Sequence, residues 1–151
     1  MLHVVLVTPE IPHNTGAIGR LCLATGARLH LVKPLGFSIE DRQVKRAGLD
    51  YWKEVDLKIW ESWEQLEQSI AEGVGVYFLT TKTKSPHWEM TFRDGDYLVF
   101  GPVTKGLPET LLEKNKEQCL TIPMKEDSTR SLNLATSAGI VLYEAVRQVG
   151  I

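Results

Sequence analysis

The strongest constraint on this chain is its rhythm: short apolar runs of strand length keep returning, separated by stretches whose apolar residues recur at helical spacing. Leu2 to Val7 is apolar but for His3, as expected of a strand buried on both faces. Asn14 is positioned to cap a helix running to about Thr25, with Gly26 as its C-terminal stop. Arg28 to Val32 reads as a second strand closed by Lys33-Pro34, Glu40 to Ala47 as a short polar helix ending at Gly48, and Leu57 to Trp60 as a third strand. Ser62 and Gln65 form a capping box for a helix with Trp63, Leu66 and Ile70 on its apolar stripe. Val76 to Thr80 and Tyr97 to Phe100 are further strands, Pro108 opens a short helix, and Cys119 to Ile122 is a last short strand. Leu134, Ala138, Val141, Leu142, Ala145 and Val149 define a closing helix. Strands alternating with helices give an α/β fold, a parallel sheet flanked by helices on both faces. No repeat, low-complexity tract or linker divides residues 1–151, so a single domain is expected.

Charge narrows the partners. Seventeen basic against nineteen acidic residues leave a net charge of -2, so the chain is no generic polyanion binder, and RNA would have to meet a local basic patch. Cys22 and Cys119 share no metal or redox spacing, and two free thiols suit a reducing cytoplasm. His3, His13, His30 and His87 are scattered along the sequence, and no metal is expected. The start, Met1-Leu2-His3-Val4-Val5, lacks the charged residues and cleavage site of a signal peptide, and no apolar run reaches membrane-spanning length. The expected setting is cytoplasmic, without a membrane.

Parallel α/β proteins bind ligands in the loops at the carboxyl ends of their strands. Three such loops have unusual composition. One is Pro9-Glu10-Ile11-Pro12-His13-Asn14-Thr15-Gly16-Ala17-Ile18-Gly19-Arg20, after the first strand. The second is Phe100-Gly101-Pro102-Val103-Thr104-Lys105-Gly106-Leu107-Pro108. The third runs from Ile122-Pro123-Met124 to Arg130-Ser131-Leu132-Asn133-Leu134. Singly, each has an ordinary explanation: Asn14 as a helix cap, Arg20 as a solvated charge, Arg130 and Asn133 as loop and capping groups. Gly101 and Gly106 match the glycine spacing of a phosphate loop, but Leu107-Pro108 stands where that motif needs Lys and Ser/Thr.

In this order the three loops resemble the signature motifs of the SPOUT superfamily of RNA methyltransferases. Arg28-Leu29-His30-Leu31, Pro34-Leu35-Gly36-Phe37, Ala47-Gly48-Leu49-Asp50-Tyr51 and Tyr143-Glu144-Ala145-Val146-Arg147-Gln148 are similar to its minimal subfamily. That subfamily consists of little besides the catalytic domain and methylates the wobble ribose of tRNA. The resemblance implies a deep C-terminal trefoil knot, with Ile122 to Asn133 passing through a loop, a feature no periodicity would suggest. It implies S-adenosylmethionine, without metal, bent among the knotted loops and leaving as S-adenosylhomocysteine. By position its contacts are Leu79, Gly101, Gly106, Ile122, Ser131 and Leu132. The same resemblance places Arg20 at the centre of catalysis, with Asn14, Ser131, Asn133 and Tyr143 orienting the acceptor. It also implies a homodimer through the first and last helices. The tRNA anticodon loop would meet Arg42, Lys45 and Arg46, at i, i+3 and i+4 on one helix face, together with Lys82, Lys84 and Arg130.

One departure stands out. The subfamily pattern reads Phe-Gly-Pro-Glu-Thr-Arg-Gly, whereas this chain has Val103 and Lys105 in the Glu and Arg places. Lys keeps the charge but loses the bidentate fork. Three other readings follow: an enzyme acting on a different tRNA or rRNA ribose, a catalytically weakened RNA-binding dimer, and a flavodoxin-like or dinucleotide-binding domain. The last lacks a Gly-x-Gly-x-x-Gly after the first strand.

Overall fold

The chain runs through β1 (His3–Val7), α1 (Pro12–Thr25), β2 (Arg28–Val32), α2 (Arg42–Ala47), β3 (Leu57–Trp60) and α3 (Trp63–Ser69), then β4 (Val76–Leu79), β5 (Tyr97–Phe100), α4 (Glu109–Lys114), β6 (Cys119–Leu120) and α5 (Leu134–Val149). Short 3-10 turns occupy Leu49–Glu54, His87–Glu89 and Lys116–Gln118. This computed structural model describes residues 1–47 and 49–151, and the side chains of all of these but 43, 45, 47, 49 and 50. The strands form one parallel sheet in the order β3-β2-β1-β5-β4-β6.

Side chains alternate across a sheet, and at the central strand β1 both faces are buried. Leu2, Val4 and Leu6 join Leu29, Leu31, Leu98 and Phe100 on the face covered by α1 and α5, whose Ile18, Cys22, Ala138, Val141, Leu142 and Ala145 are buried against it. Val5, Val7, Val32 and Val99 point the other way, with Leu66 of α3 and Leu112 of α4 in their cluster. That two-sided burial is why β1 reads as a near-continuous apolar run rather than an alternating one.

Element order follows expectation, and the ends differ for local reasons. Helix α1 begins at Pro12 with Ile11 as its N-cap, so Asn14 is not a cap but a buried residue of the first turn. Proline at the first helical position sacrifices no hydrogen bond, which lets the helix start earlier. Gly26 closes it in the left-handed conformation (φ 72°), as expected. Helix α2 starts at Arg42 rather than Glu40, and its expected stop at Gly48 lies outside the described residues. Ser62 accepts from the Gln65 amide, but the Gln65 side chain returns to Glu61 N, not to Ser62. Pro108 is the cap of α4 rather than its first residue. Strand β6 stops at Leu120, because Thr121 leaves β4 to pair with the Ser85–His87 segment: Thr121 N donates to Ser85 O and His87 N to Thr121 O.

The histidines are less scattered than their sequence positions suggest. His3 Nδ1 and His30 Nε2 lie 2.8 Å apart, and Trp60 Nε1 donates to His30 Nδ1 at 2.9 Å. Indole only donates, so His30 must carry its proton on Nε2 and give that hydrogen bond to His3. Tyr97 stacks on His3, with ring centroids 4.1 Å apart. Burial, with Arg28 nearby, pushes the pKa of His3 down to about 4, and burial together with His3 pushes His30 to about 3.

Candidate cofactor cavity and acceptor groups

Strand order decides which loops meet. β1 lies beside β5, and β5 beside β4, so the loops leaving their carboxyl ends are neighbours. After β6 at the sheet edge, the chain must return to α5, which packs on α1 and β5. Residues 121–134 therefore cross back over the loops that follow β4 and β5. Between the three segments lies a cavity of about 320 Å³, within the range of small-molecule sites.

Leu79, Gly101, Gly106, Ile122, Ser131 and Leu132, the residues assigned to the cofactor, all line this one cavity. Lys82 and Arg130 line it too, as do Thr80, Thr121 and Ser137, which the sequence reading did not single out. Thr80 directly follows Leu79 at its strand end, a signal that could have found it. Gly101 has a reason stronger than ligand approach. A Cβ there would overlap the backbone nitrogen of Leu107 and stand 2.5 Å from the carbonyl carbon of Gly106, so the loop itself requires glycine. Gly106, at φ 67°, completes the turn, with its amide donating to Pro102 O at 2.8 Å. Val103 sits at the exposed loop tip.

The residues assigned to the acceptor side divide into two groups. Asn133 caps α5, its Oδ1 accepting from Ala135 N and Thr136 N, while its Nδ2 donates to Asn14 Oδ1 at 3.4 Å. The structure thus brings together one residue each from the first and third loops, and Ser131 stands two residues away. Arg20 and Tyr143 are exposed on α1 and α5 and do not line the cavity of their own chain. Tyr143 lies six residues beyond Ser137, about 9 Å along the helix axis. Among the described residues Arg20 has no hydrogen bond or ion pair. Arg42 and Arg46 are exposed on α2, which packs on α1, and the side chain of Lys45 lies outside the described residues. Lys82 is held by Glu109 at 2.8 Å, both exposed, and Lys84 is exposed.

Among the described residues no group of three or more His, Cys, Asp or Glu is arranged to hold a metal, and no helix is long and apolar enough to cross a membrane. The cavity wall is instead backbone, apolar side chains and hydroxyls, with Lys82, Lys105 and Arg130 as its cations. That set suits an adenosine held by backbone amides and carbonyls, with a carboxylate met by positive charge.

Residues 1–143 match the SpoU rRNA Methylase family. The chain belongs to that family. Within it, the chain is 50% identical over 149 residues to a tRNA (cytidine(34)-2'-O)-methyltransferase of Methylovorus glucosotrophus (strain SIP3-4), covering 98% of this chain and 96% of that protein. A solved structure giving insights into the 2-OH methylation of C/U34 on tRNA superimposes with a TM-score of 0.92 at 44% identity, covering 98% of this chain and 95% of that one. An AdoMet-bound rRNA methyltransferase from Sinorhizobium meliloti matches with a TM-score of 0.84 and 25% identity, over 97% of this chain and 56% of that one. The family membership removes the dinucleotide-binding alternative.

Proposed function

We propose that this SpoU-family methylase transfers a methyl group from S-adenosylmethionine to the ribose 2'-hydroxyl of the wobble nucleotide of tRNA. The observation that carries the reading is the convergence of all six assigned cofactor residues on one cavity, in a chain matching a C34 enzyme almost end to end. S-adenosylmethionine in that cavity supplies the activated methyl group and needs no metal. Leu79, Ile122 and Leu132 give the adenosine apolar walls, and the turn at Gly101 and Gly106 offers backbone polar groups. The return of residues 121–134 across the other two loops supports the threaded trefoil knot of the family.

Arg20 then has a defined task. Guanidinium, with a pKa above about 12, stays protonated and is a poor general base. Its work is to hold the ribose and the adjacent phosphate and to stabilise the developing alkoxide, while the phosphate or water takes the proton. Asn14, Ser131, Asn133 and Tyr143 orient the acceptor. Because Arg20 and Tyr143 lie outside their own cavity, the reading requires a homodimer in which α1 and α5 of one subunit complete the site of the other. Ile140 and Tyr143, exposed on α5, with Ile11 at the start of α1, are apolar groups available to that interface. Arg42, Lys45, Arg46, Lys84 and Arg130 would meet anticodon-loop phosphates, and Lys82 would join them on leaving Glu109.

Methylation of a tRNA anticodon stem-loop by the purified protein, read by mass spectrometry of its nucleosides, tests the reading. The expected product is 2'-O-methylcytidine or a 2'-O-methylated uridine at position 34, and methyl at any other position refutes the wobble assignment. Sedimentation should give a dimer at micromolar concentration, and a monomer would remove the shared site.

A further inference from the structure

The second loop turns back on itself, and its tip, Val103-Thr104-Lys105, is exposed while also lining the cofactor cavity. Among the described residues, the tip's hydrogen bonds to another part of the chain go to one side chain. Glu10, in the loop between β1 and α1, accepts from Thr104 N at 3.1 Å, and from Thr104 Oγ1 at 3.0 Å and 2.8 Å through its two oxygens. Fork-like bonding to a carboxylate is geometrically specific and stronger than neutral hydrogen bonding. Lys105, beside it, adds positive charge, and together these contacts hold the Glu10 carboxyl below its ordinary range.

Glu10 is itself held in place. Thr8 takes a positive φ of 46°, uncommon for a β-branched residue, while its amide donates to Val32 O. The amide of Gly36 donates to Pro9 O at 2.9 Å, and a Cβ on Gly36 would stand 3.0 Å from the Glu10 backbone. The turn after β2 thus braces the loop after β1 from behind. Since β1 and β5 are neighbours in the sheet, Glu10 and Thr104 leave adjacent strand ends and meet across them.

We infer that Glu10 is a positioning residue: a latch that fixes the tip of the cofactor loop and ties it to the start of α1, the helix that carries Asn14 and Arg20. The inference rests on the cavity being the S-adenosylmethionine site. When Glu10 engages Thr104, the loop wall stands preformed around the cofactor; without the latch, binding must first order the tip. The effect therefore falls on cofactor affinity more than on turnover at saturating cofactor.

The test uses Glu10→Ala, Thr104→Val, the double variant and Thr104→Ser, with S-adenosylhomocysteine as the calorimetric probe. Glu10→Ala should weaken binding by about five- to tenfold, near the upper end of the net worth of an ordinary hydrogen bond, and Thr104→Val, which keeps the amide bond to Glu10, should weaken it by less. The double variant should lose no more than Glu10→Ala alone, which already removes every contact of the latch, and Thr104→Ser, which keeps the hydroxyl, should bind as wild type. Melting temperature should hardly move, since both partners are exposed, and turnover at saturating S-adenosylmethionine should stay near wild type. Hydrogen exchange in the cofactor-free protein gives a second reading: the Thr104 amide should be protected in wild type and lose protection in Glu10→Ala. Unchanged exchange, additive losses, or full affinity in Glu10→Ala would each overturn the latch. Wild-type protein that fails to bind S-adenosylhomocysteine would instead refute the cofactor assignment, and the exchange result would still decide the latch.

Discussion

Acid should weaken this protein well before its carboxylates titrate, and the reason is the His3–His30–Trp60 chain. In the unfolded chain a histidine takes its proton near pH 6.5. In the fold His30 is held to about 3, chiefly by burial and then by His3, while His3 is held to about 4. The folded state therefore excludes protons that the unfolded state accepts. The stability this gives is whole above pH 6.5 and is lost as pH falls toward the folded values. Integrated from pH 7.5 to 4.5, His30 alone costs about 3 kcal/mol. His3 is half exposed and solvent screens its charge, so it adds less. A loss of that size is a large share of the roughly 5–15 kcal/mol that holds a domain together. Glu144, held to about 2 by Arg147 and Gln148, keeps its contribution until pH falls into the ordinary carboxylate range and loses it from there down, so most of the window from 6.5 to 4.5 belongs to the histidines. Urea unfolding at steps across that window should show stability falling by about 1 kcal/mol per pH unit or more. In His30→Gln the amide can still accept from Trp60 and donate to His3 without titrating, so the slope should shrink by about one proton. A flat profile in wild type, or an equal slope in His30→Gln, would refute the argument.

Three further outcomes follow from the site. Gly101→Ala should abolish S-adenosylhomocysteine binding by calorimetry and lower the melting temperature as well, because the added Cβ meets the loop's own backbone at Gly106 and Leu107; unchanged affinity would mean the cavity is misassigned. Val103→Glu restores the subfamily carboxylate at the loop tip and should raise the single-turnover rate with S-adenosylmethionine saturating; an unchanged rate would show that this position does not limit transfer. Arg20→Ala should cut single-turnover methylation by about a hundredfold or more, the scale for losing a group that stabilises developing charge, with S-adenosylhomocysteine affinity intact. Arg20→Lys should retain more activity than Arg20→Ala, and Lys no better than Ala would show that the guanidinium fork, more than the charge, does the positioning.

How much of this could be read from the chain depends on whether the cause is local. Pattern sufficed where one segment carries its own signal. The run from Leu2 to Val7 announced a strand buried on both faces, Gly26 a helix stop, and Leu134 to Val149 a helix with one apolar stripe, and each took the expected form. Boundaries failed where a neighbour overrode the segment, as when Thr121 left β4 for Ser85 and His87. That the residues assigned to the cofactor would share one cavity was readable because they sit at strand ends, where a parallel sheet gathers its loops, and because the three motifs arrive in family order. What stayed hidden was every pairing set by strand neighbours distant in sequence. His3 and His30 are scattered on paper yet share a hydrogen bond, because β1 and β2 are adjacent and parallel. Glu10 and Thr104, 94 residues apart, meet for the same reason on the other side of β1. Arg20 marks a third limit. Its motif named it, yet the fold of one chain leaves it exposed, without a partner among the described residues and away from its own cavity. On the proposed reading Arg20 acts in the cavity of a second subunit, and the acceptor half of the site would then be completed only in a homodimer.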